Sequence, residues 1–436
     1  MLNCRKLIAV LFMAVTVGTA LGQTNGSNSP YSRYGFGLLS DRAGGFNKAM
    51  AGVGYAMADG KELNVKNPAS YAYLDSLSFL FDIGLSVQNA NFSSGGQSVN
   101  AKNTSLDYVN MGFRLSPNLG VSLGLMPFST IGYSTTTTST LKMATGDVVQ
   151  SDGYAGDGGL HEVYAGIGWR PVKNISIGAN VGYLWGDLSH TVFTSFSDAN
   201  IQSLRRHYET DMRTYKADFG LLYQQPLNKK NNLMLGLTYG LGHDINSKAV
   251  YHNQKLASGT VTVGDTLKAS NAYQLPHTLG AGLVWEHNNR LRLGFDYTWQ
   301  KWSSVKFPTL EEKNGALEYK AATGGFTDRH SIGVGCEYIP NPMGLRWRNH
   351  VRYRAGFSYS TPYAKIDGKD GPRTYCVSLG VGLPILNRYT NRPIVNISAQ
   401  YERVEPKVAG MITENYLRLC VGISFNERWF MKWKVQ

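Results

Sequence analysis

Long hydrophobic runs are almost absent from this sequence of 436 residues. The exception is Leu7–Val17, which follows Arg5 and Lys6 and is too short for a transmembrane helix of about 20 apolar residues. A basic flank, a short apolar core and the small-residue end Ala20-Leu21-Gly22 are typical of a secretory signal peptide. We therefore expect residues 1–22 to be a signal peptide, with a structural N-terminal helix as the alternative.

Cysteine and charged residues are also scarce. Removal of the signal peptide leaves three widely spaced cysteines, Cys336, Cys376 and Cys420, and an odd number of this kind predicts no disulfide framework. Charged residues make up 17% of the chain, with a formal net charge of +13. A basic balance often indicates a nucleic-acid partner, but export favours a membrane or cell-surface protein instead.

No catalytic, cofactor or metal-binding motif is present. The glycine-rich pieces Gly35-Phe36-Gly37 and Gly333-Val334-Gly335 do not have the spacing of a phosphate-binding loop. The nine histidines show no metal-ligand spacing. A hydrolase with His161 or His330 near a strand end is the alternative, but the sequence names no partner residue for either. We therefore expect a protein that is not an enzyme and has no cofactor or metal.

Apolar and polar residues alternate with period two in many segments of the sequence. In residues 291–300, Leu, Leu, Phe, Tyr and Trp alternate with Arg, Gly, Asp, Thr and Gln. Residues 351–360 and 417–425 show the same division. These segments have about the ten-residue length of a tilted barrel strand. A soluble β-sandwich would show the same period, so the alternation alone does not decide between the two.

The lengths of the joints between these segments favour a membrane barrel. Short joints alternate with longer polar loops, and turns on the periplasmic side of outer-membrane barrels are short whereas outer loops are long. The short joints are 117–118, 171–174, 226–232, 286–289, 340–349 and 384–392, and the longer loops include 135–158, 247–270, 308–325 and 362–373. Counting strands between the joints gives about 14. The sequence thus predicts an all-β fold, a 14-stranded antiparallel transmembrane β-barrel over residues 77–425. We expect it in a bacterial outer membrane with both termini in the periplasm.

Residues 23–76 do not follow the barrel pattern. They are rich in Gly, Ala and Tyr and contain a helix-like stretch around Phe46 to Met57. A barrel of this size leaves a lumen, so we expect these residues to form a plug, or hatch, inside it. A disordered periplasmic tail is the alternative, but the aromatic content argues against it. At the other end, residues 426–436 are expected to form a basic, aromatic periplasmic tail.

The short turns are basic. Their positive side chains predict contact with the phosphates of outer-membrane lipids, and a solvated rim with no specific partner is the alternative. The residues concerned are Arg170, Lys173, Lys229, Lys230, Arg290, Arg346, Arg348, Arg388 and Arg392.

Two further features mark candidate functional residues. First, if the alternation holds, seven charged side chains face the lumen, where they would either attract an anionic ligand group or form ion pairs between plug and wall. They are Lys216, Asp218, Arg292, Asp296, Arg352, Arg354 and Arg418.

Second, Pro127 interrupts the third strand and cannot donate to the hydrogen-bond ladder, so the wall must bulge or kink there. A kink is a candidate lateral opening, and a plain bulge is the alternative.

Several short motifs resemble those of the FadL-type outer-membrane transporters. Residues 51–60, followed by Asn67-Pro68-Ala69-Ser70, are similar to the plug of that family, and Met126-Pro127-Phe128 is similar to its kinked third strand. Residues 275–282 and 294–303 resemble a pair of its central strands.

The resemblance implies a 14-stranded barrel with an N-terminal hatch and passive uptake of hydrophobic compounds, either fatty-acid-like or aromatic. It further implies lateral release through the kink near Pro127. Asn67, Pro68 and Ala69 would then be the hatch motif beside that kink, and Met126, Pro127 and Phe128 would form the kink itself. Barrels of this type also carry exported proteins in the type IX secretion system. A protein-binding barrel with no role in small-molecule transport is therefore the alternative.

Overall fold

The computed structural model describes residues 27–76, 78–143, 146–257, 259–313, 315–385, 393–408 and 410–428. The expected signal peptide and residues 429–436 of the expected tail lie outside these residues, as do Arg388 and Arg392.

Fourteen antiparallel strands form a closed wall, which confirms the predicted number. We label them in chain order: β1 (Ser78–Ser94), β2 (Gln97–Ser116), β3 (Leu119–Met143), β4 (Gly146–Val172), β5 (Ile175–Phe196), β6 (Ser203–Pro226), β7 (Asn231–Gly240), β8 (Thr278–His287), β9 (Leu291–Gln300), β10 (Arg329–Tyr338), β11 (Arg352–Ser360), β12 (Arg373–Pro384), β13 (Ile394–Glu405) and β14 (Thr413–Arg428). Each strand pairs with its neighbours along the chain. Pairing of β1 with β14, from Ser78↔Arg428 to Ser93↔Thr413, closes the barrel.

The alternating pattern places apolar side chains on the outside of this wall. In β9, Leu293 and Phe295 are 43% and 44% exposed, whereas Asp296 faces inward and is 4% exposed. The same outward face is apolar in β5, β12 and β14. An apolar exterior with a polar interior is the arrangement of a membrane barrel and the reverse of a soluble sandwich.

No helix in the described part of the chain has the length and hydropathy needed to cross a membrane. The α-helix is Gly45–Lys48, so the helix-like stretch predicted around Phe46 to Met57 is helical only at its start. The 3-10 helices are Pro30–Arg33, Pro68–Tyr73 and Trp347–His350.

Six short turns join the strands at one end of the barrel, where the sequence predicted them. We call this end the short-turn end and the opposite end the long-loop end.

The prediction that the long connections are loops was wrong, because most of their residues are strands. β3 and β4 contain 25 and 27 residues and form one long hairpin that includes most of the predicted loop 135–158. These extensions carry polar residues on both faces, and strands without a buried apolar face give no period-two signal. The further strands are Leu38–Leu39, Asp244–Ile245, Lys248–Ala257, Thr260–Ser270, Tyr273–Gln274, Phe307–Lys313, Ala316–Ala322, Lys365–Ile366 and Lys369–Asp370.

Candidate functional site

The N-terminal segment (residues 27–76) lies inside the wall against glycines that face inward. A Cβ atom on Gly178 of β5 would lie within 2.6 Å of the Pro68 carbonyl oxygen, and one on Gly282 of β8 would lie 2.9 Å from the Ala56 nitrogen. Side chains at these positions would push the segment away, so glycine permits the close approach of the two backbones. Similar backbone contacts occur at Gly120, Gly168, Gly236, Gly335 and Gly356, and side chains of the segment contact Gly220 and Gly380.

The predicted hatch residues fasten this segment to the wall. The Asn67 side chain accepts a hydrogen bond from the Ala69 amide (3.1 Å) and donates to the carbonyls of Tyr55 (2.7 Å) and Leu221 (3.2 Å). Asn67 and Ala69 are fully buried. The asparagine therefore caps the 3-10 helix Pro68–Tyr73 and ties it to β6 at the same time.

The resemblance placed these residues beside the wall kink, and the structure places them nearer the short turns. Pro68 contacts Gly168 of β4, whereas Pro127 pairs with His161 of the same strand. Seven residues along a strand separate the two by about 23 Å. The close approach of Pro68 requires glycines, and those glycines lie near the short-turn end.

Charged side chains bind the N-terminal segment to β9–β11. Arg352 and Arg354 each lie 2.6 Å from the Glu62 carboxylate, and Arg292 lies 3.1 Å from Asp59. The side chains of Glu62 and Arg354 are 1% and 0% exposed. Burial alone would raise the pKa of Asp59, but the guanidinium groups of Arg352 and Arg292 hold it well below its usual range. Both carboxylates are thus buried against wall arginines.

The other predicted lumen charges are also paired. Asp218 lies 2.5 Å from both Arg42 and Lys216, and Asp296 accepts hydrogen bonds from the backbone amides of Gly54 and Tyr55. Arg418 pairs with Glu402 of the wall at 2.6 Å. Five of the seven side chains contact the N-terminal segment directly: Asp218, Arg292, Asp296, Arg352 and Arg354.

Sequence reasoning missed the partners of these charges. Glu162 and Glu337 occupy inward positions of β4 and β10, so extending the alternation to every strand would have found them. Arg42, Asp59 and Glu62 lie in the N-terminal segment, where no periodicity shows which side chains face the wall.

The wall has a seam between β2 and β3. These strands pair only from Val109↔Leu125 to Ser116↔Leu119, so toward the long-loop end β3 has a wall partner on one side only, β4. The short strand Leu38–Leu39 occupies part of the vacant edge and pairs with β3 at Thr130 and Ser129. The Ser40 amide extends this pairing by donating to the Phe128 carbonyl (2.9 Å).

Residues 27–40, which we call the seam segment, reach across the gap. On the β3 side, the Ser27 hydroxyl donates to the Gly132 carbonyl (3.0 Å), and the Gly132 amide donates to the Ser32 hydroxyl (3.1 Å). On the other side, Asn28 donates to Asn103 of β2 (2.8 Å), and Ser29 donates to the Glu414 carboxylate of β14 (2.7 Å). The seam is therefore closed by a separate stretch of chain that side-chain hydrogen bonds hold in place.

The bulge predicted at Pro127 lies at the base of this seam. The register of β3 with β4 shifts between Pro127 and Ser129, which leaves Phe128 as the extra residue. Gly158 and Gly159 of β4 have φ angles of +112° and +138°, a backbone conformation that residues other than glycine rarely adopt. A bulge after Pro127 on one strand and two glycines on the next thus interrupt the regular wall where β2 separates from β3.

An apolar cluster fills the barrel between the seam and the long loops. Phe36 of the seam segment packs on Trp302 with ring centroids 5.7 Å apart, and Trp302 in turn packs on Tyr363 (4.7 Å). Leu39 and Phe128 pack against the same cluster. An apolar cluster therefore lies between the long loops and the seam, and the ion pairs of Asp59 and Glu62 lie nearer the short turns.

The described residues contain no group of three His, Cys, Asp or Glu side chains arranged to hold a metal ion. Cys336, Cys376 and Cys420 are free thiols.

The fold is that of the FadL-type β-barrels. The structure is similar to a Pseudomonas aeruginosa FadL homologue (TM-score 0.59, 14% identity, covering 90% of this chain and 99% of that one). It is also similar to the Ralstonia pickettii toluene transporter TbuX (0.57, 14%, 89% and 99%) and the Pseudomonas putida toluene transporter TodX (0.56, 16%, 90% and 99%). At these identities the likeness establishes the fold.

A family model described as BamG matches residues 4–436, and the chain belongs to the BamG family. No curated protein matches the sequence.

Proposed function

We propose that this protein is an outer-membrane channel for passive uptake of hydrophobic compounds, which leave it sideways through the seam between β2 and β3. The N-terminal segment is the plug that blocks the direct path to the periplasm, and the short turns face the periplasm. The observation that carries the proposal is the apolar cluster that extends from the long loops to the seam. Three structures of the same fold are titled as toluene transporters or a FadL homologue.

A sideways path fits the distribution of polarity in the lumen. A hydrophobic compound would have to desolvate paired charges to pass Arg354, Glu62 and Asp59, and disturbing buried ion pairs costs several kcal/mol. At the seam it meets Phe128 and Leu39 instead, and the barriers there are hydrogen bonds of the seam segment, which include the bond from Ser29 to the buried Glu414 carboxylate. Exit into the bilayer is therefore the easier route.

Uptake by cells tests this proposal. A bacterium that lacks its own fatty-acid channel would express this protein, and entry of a labelled long-chain fatty acid and of labelled toluene would be measured. We expect entry above the empty-vector background for these compounds but not for a sugar. Pro127→Ala restores a ladder donor and is expected to lower uptake, whereas the control Pro308→Ala, in the strand Phe307–Lys313, is not. Uptake at background level for both compounds would overturn the proposal.

A protein-binding barrel of a secretion system is the second candidate function. It is favoured by the firm attachment of the N-terminal segment, which five inward charges and Asn67 fasten to β6–β11. It is also favoured by the long hairpins that extend beyond the barrel. Affinity purification from mild detergent that returns no stoichiometric partner would count against it.

A further inference from the structure

The loop between β10 and β11, residues 339–351, exposes apolar side chains at the short-turn end. Met343 and Leu345 are 92% and 100% exposed, the highest values among the large hydrophobic residues described. Trp347, in the same loop, is 43% exposed. Single exposed apolar residues are ordinary, but three within five positions of one loop indicate a surface that is covered in the cell.

Internal hydrogen bonds hold this loop in a defined conformation, so its apolar side chains are exposed in an ordered loop. The Asn341 amide donates to the Asn349 carbonyl (3.0 Å), and the Gly344 amide donates to the Asn341 carbonyl (3.0 Å). His350 Nε2 donates to the Gly344 carbonyl (2.7 Å). The Trp347 indole donates to the Pro384 carbonyl (2.7 Å), which fixes the loop to the end of β12.

The charge of the short turns is of one sign. Arg346 and Arg348 flank Trp347 and are exposed. The six short turns, read as 117–118, 173–174, 227–230, 288–290, 339–351 and 385–393, contain no Asp or Glu. Among the turn residues that the structure describes, the other exposed basic ones are Lys173, Lys229, Lys230 and Arg290. The short-turn end therefore attracts anions, and the nearest anions to the ends of membrane strands are lipid phosphates.

We propose that the loop 339–351 is an interfacial anchor for anionic phospholipids of the leaflet next to the short turns. Met343 and Leu345 enter the acyl-chain region, Trp347 lies at headgroup level, and Arg346 and Arg348 bind phosphates. An apolar tip between basic residues is the composition of segments that lie in an anionic membrane surface. The inference goes beyond the uptake function and depends only on the periplasmic orientation of the short turns.

A fluorescent probe tests the apolar half of the proposal. The three native cysteines are replaced by alanine, and an environment-sensitive dye is attached to Leu345→Cys in the full chain. In vesicles of phosphatidylglycerol and phosphatidylcholine we expect a blue-shifted emission that brominated lipids quench. The control Val263→Cys, on an exposed apolar residue of the strand Thr260–Ser270, should show neither effect. Emission from Leu345→Cys that equals the control would overturn the proposal.

Native mass spectrometry of the lipids that the purified protein retains tests the role of Arg346 and Arg348. Each arginine is expected to contribute about fivefold to the preference for phosphatidylglycerol. Arg346→Gln with Arg348→Gln should abolish most of that preference, whereas the control Lys255→Gln with Lys313→Gln on the long-loop hairpins should not. An unchanged preference in the arginine variant would contradict the proposal.

Two outcomes separate this proposal from its alternatives. A dye on Leu345→Cys that is shielded in native outer membranes but not in lipid vesicles would show that a protein covers the loop, which overturns lipid anchoring. Labelling of Leu345→Cys by an impermeant reagent on intact cells would overturn the orientation. Coverage of the loop by a protein leaves uptake through the seam unaffected, so lipid anchoring can fail while the proposed function stands. A reversed orientation overturns both proposals.

Discussion

The variant Arg354→Met is expected to lower the free energy of unfolding by about 3–5 kcal/mol, the cost of removing one partner from a buried ion pair. The side chain of Arg354 is fully buried and donates to Glu62 and Glu337 at 2.6 Å each. Without it, Glu62 retains Arg352, but two buried carboxylates lose a shared cation. The N-terminal segment would lose one of its main attachments to β11.

Urea unfolding in lipid vesicles, followed by tryptophan fluorescence, measures this effect. Arg403→Met is the matched control, because the pair Arg403–Glu405 has side chains 48% and 47% exposed and should contribute less than about 1 kcal/mol. Adding Glu62→Gln to Arg354→Met should recover part of the loss, since it removes one of the two carboxylates that shared the Arg354 cation. Equal losses for Arg354→Met and Arg403→Met would show that the buried network does not hold the segment.

A disulfide between Leu39→Cys and Ser129→Cys is expected to reduce uptake to the background level. These residues face each other across the pairing of the seam segment with β3, where Cα atoms lie close enough for a bridge. Oxidation would fix the seam segment in the closed position. Uptake is measured in a background in which Cys336, Cys376 and Cys420 are alanine, before and after oxidation and again after reduction.

Reduction should restore the uptake that oxidation removes. The single variants Leu39→Cys and Ser129→Cys serve as controls, and neither should respond to oxidant. Uptake at the unlocked rate while mass spectrometry shows a complete bridge would mean that hydrophobic compounds do not use this seam.

The wall could be predicted because its signals are local. The alternation in 291–300 fixes which side chains of β9 face the lumen, and proline and asparagine at 117–118 mark a turn without reference to the rest of the chain. Both signals act within ten residues. Pro127 likewise indicated a bulge, because the lack of an amide proton is a property of that residue alone.

The seam could not be predicted, because it depends on contacts between distant parts of the chain. Nothing in residues 27–40 indicates that Leu39 pairs with Ser129 or that Ser29 meets Glu414. The polar outer half of β3 was read as a loop, because exposed strands need no apolar face. The partners Asp59 and Glu62 were missed because the N-terminal segment follows glycine-lined contacts and has no regular period.

Photo-crosslinking of a transported compound tests the central claim, sideways exit at the seam, most directly. Cells expressing the protein would take up a fatty acid that carries a diazirine, and mass spectrometry would locate its adducts after irradiation. We predict adducts on Phe128, Leu39 and Phe36, which face the seam and the apolar cluster, and their loss when the Leu39–Ser129 bridge is oxidised. Adducts instead on Met57 or Met234, which pack together at the short-turn end, would contradict the account and show a path through the plug.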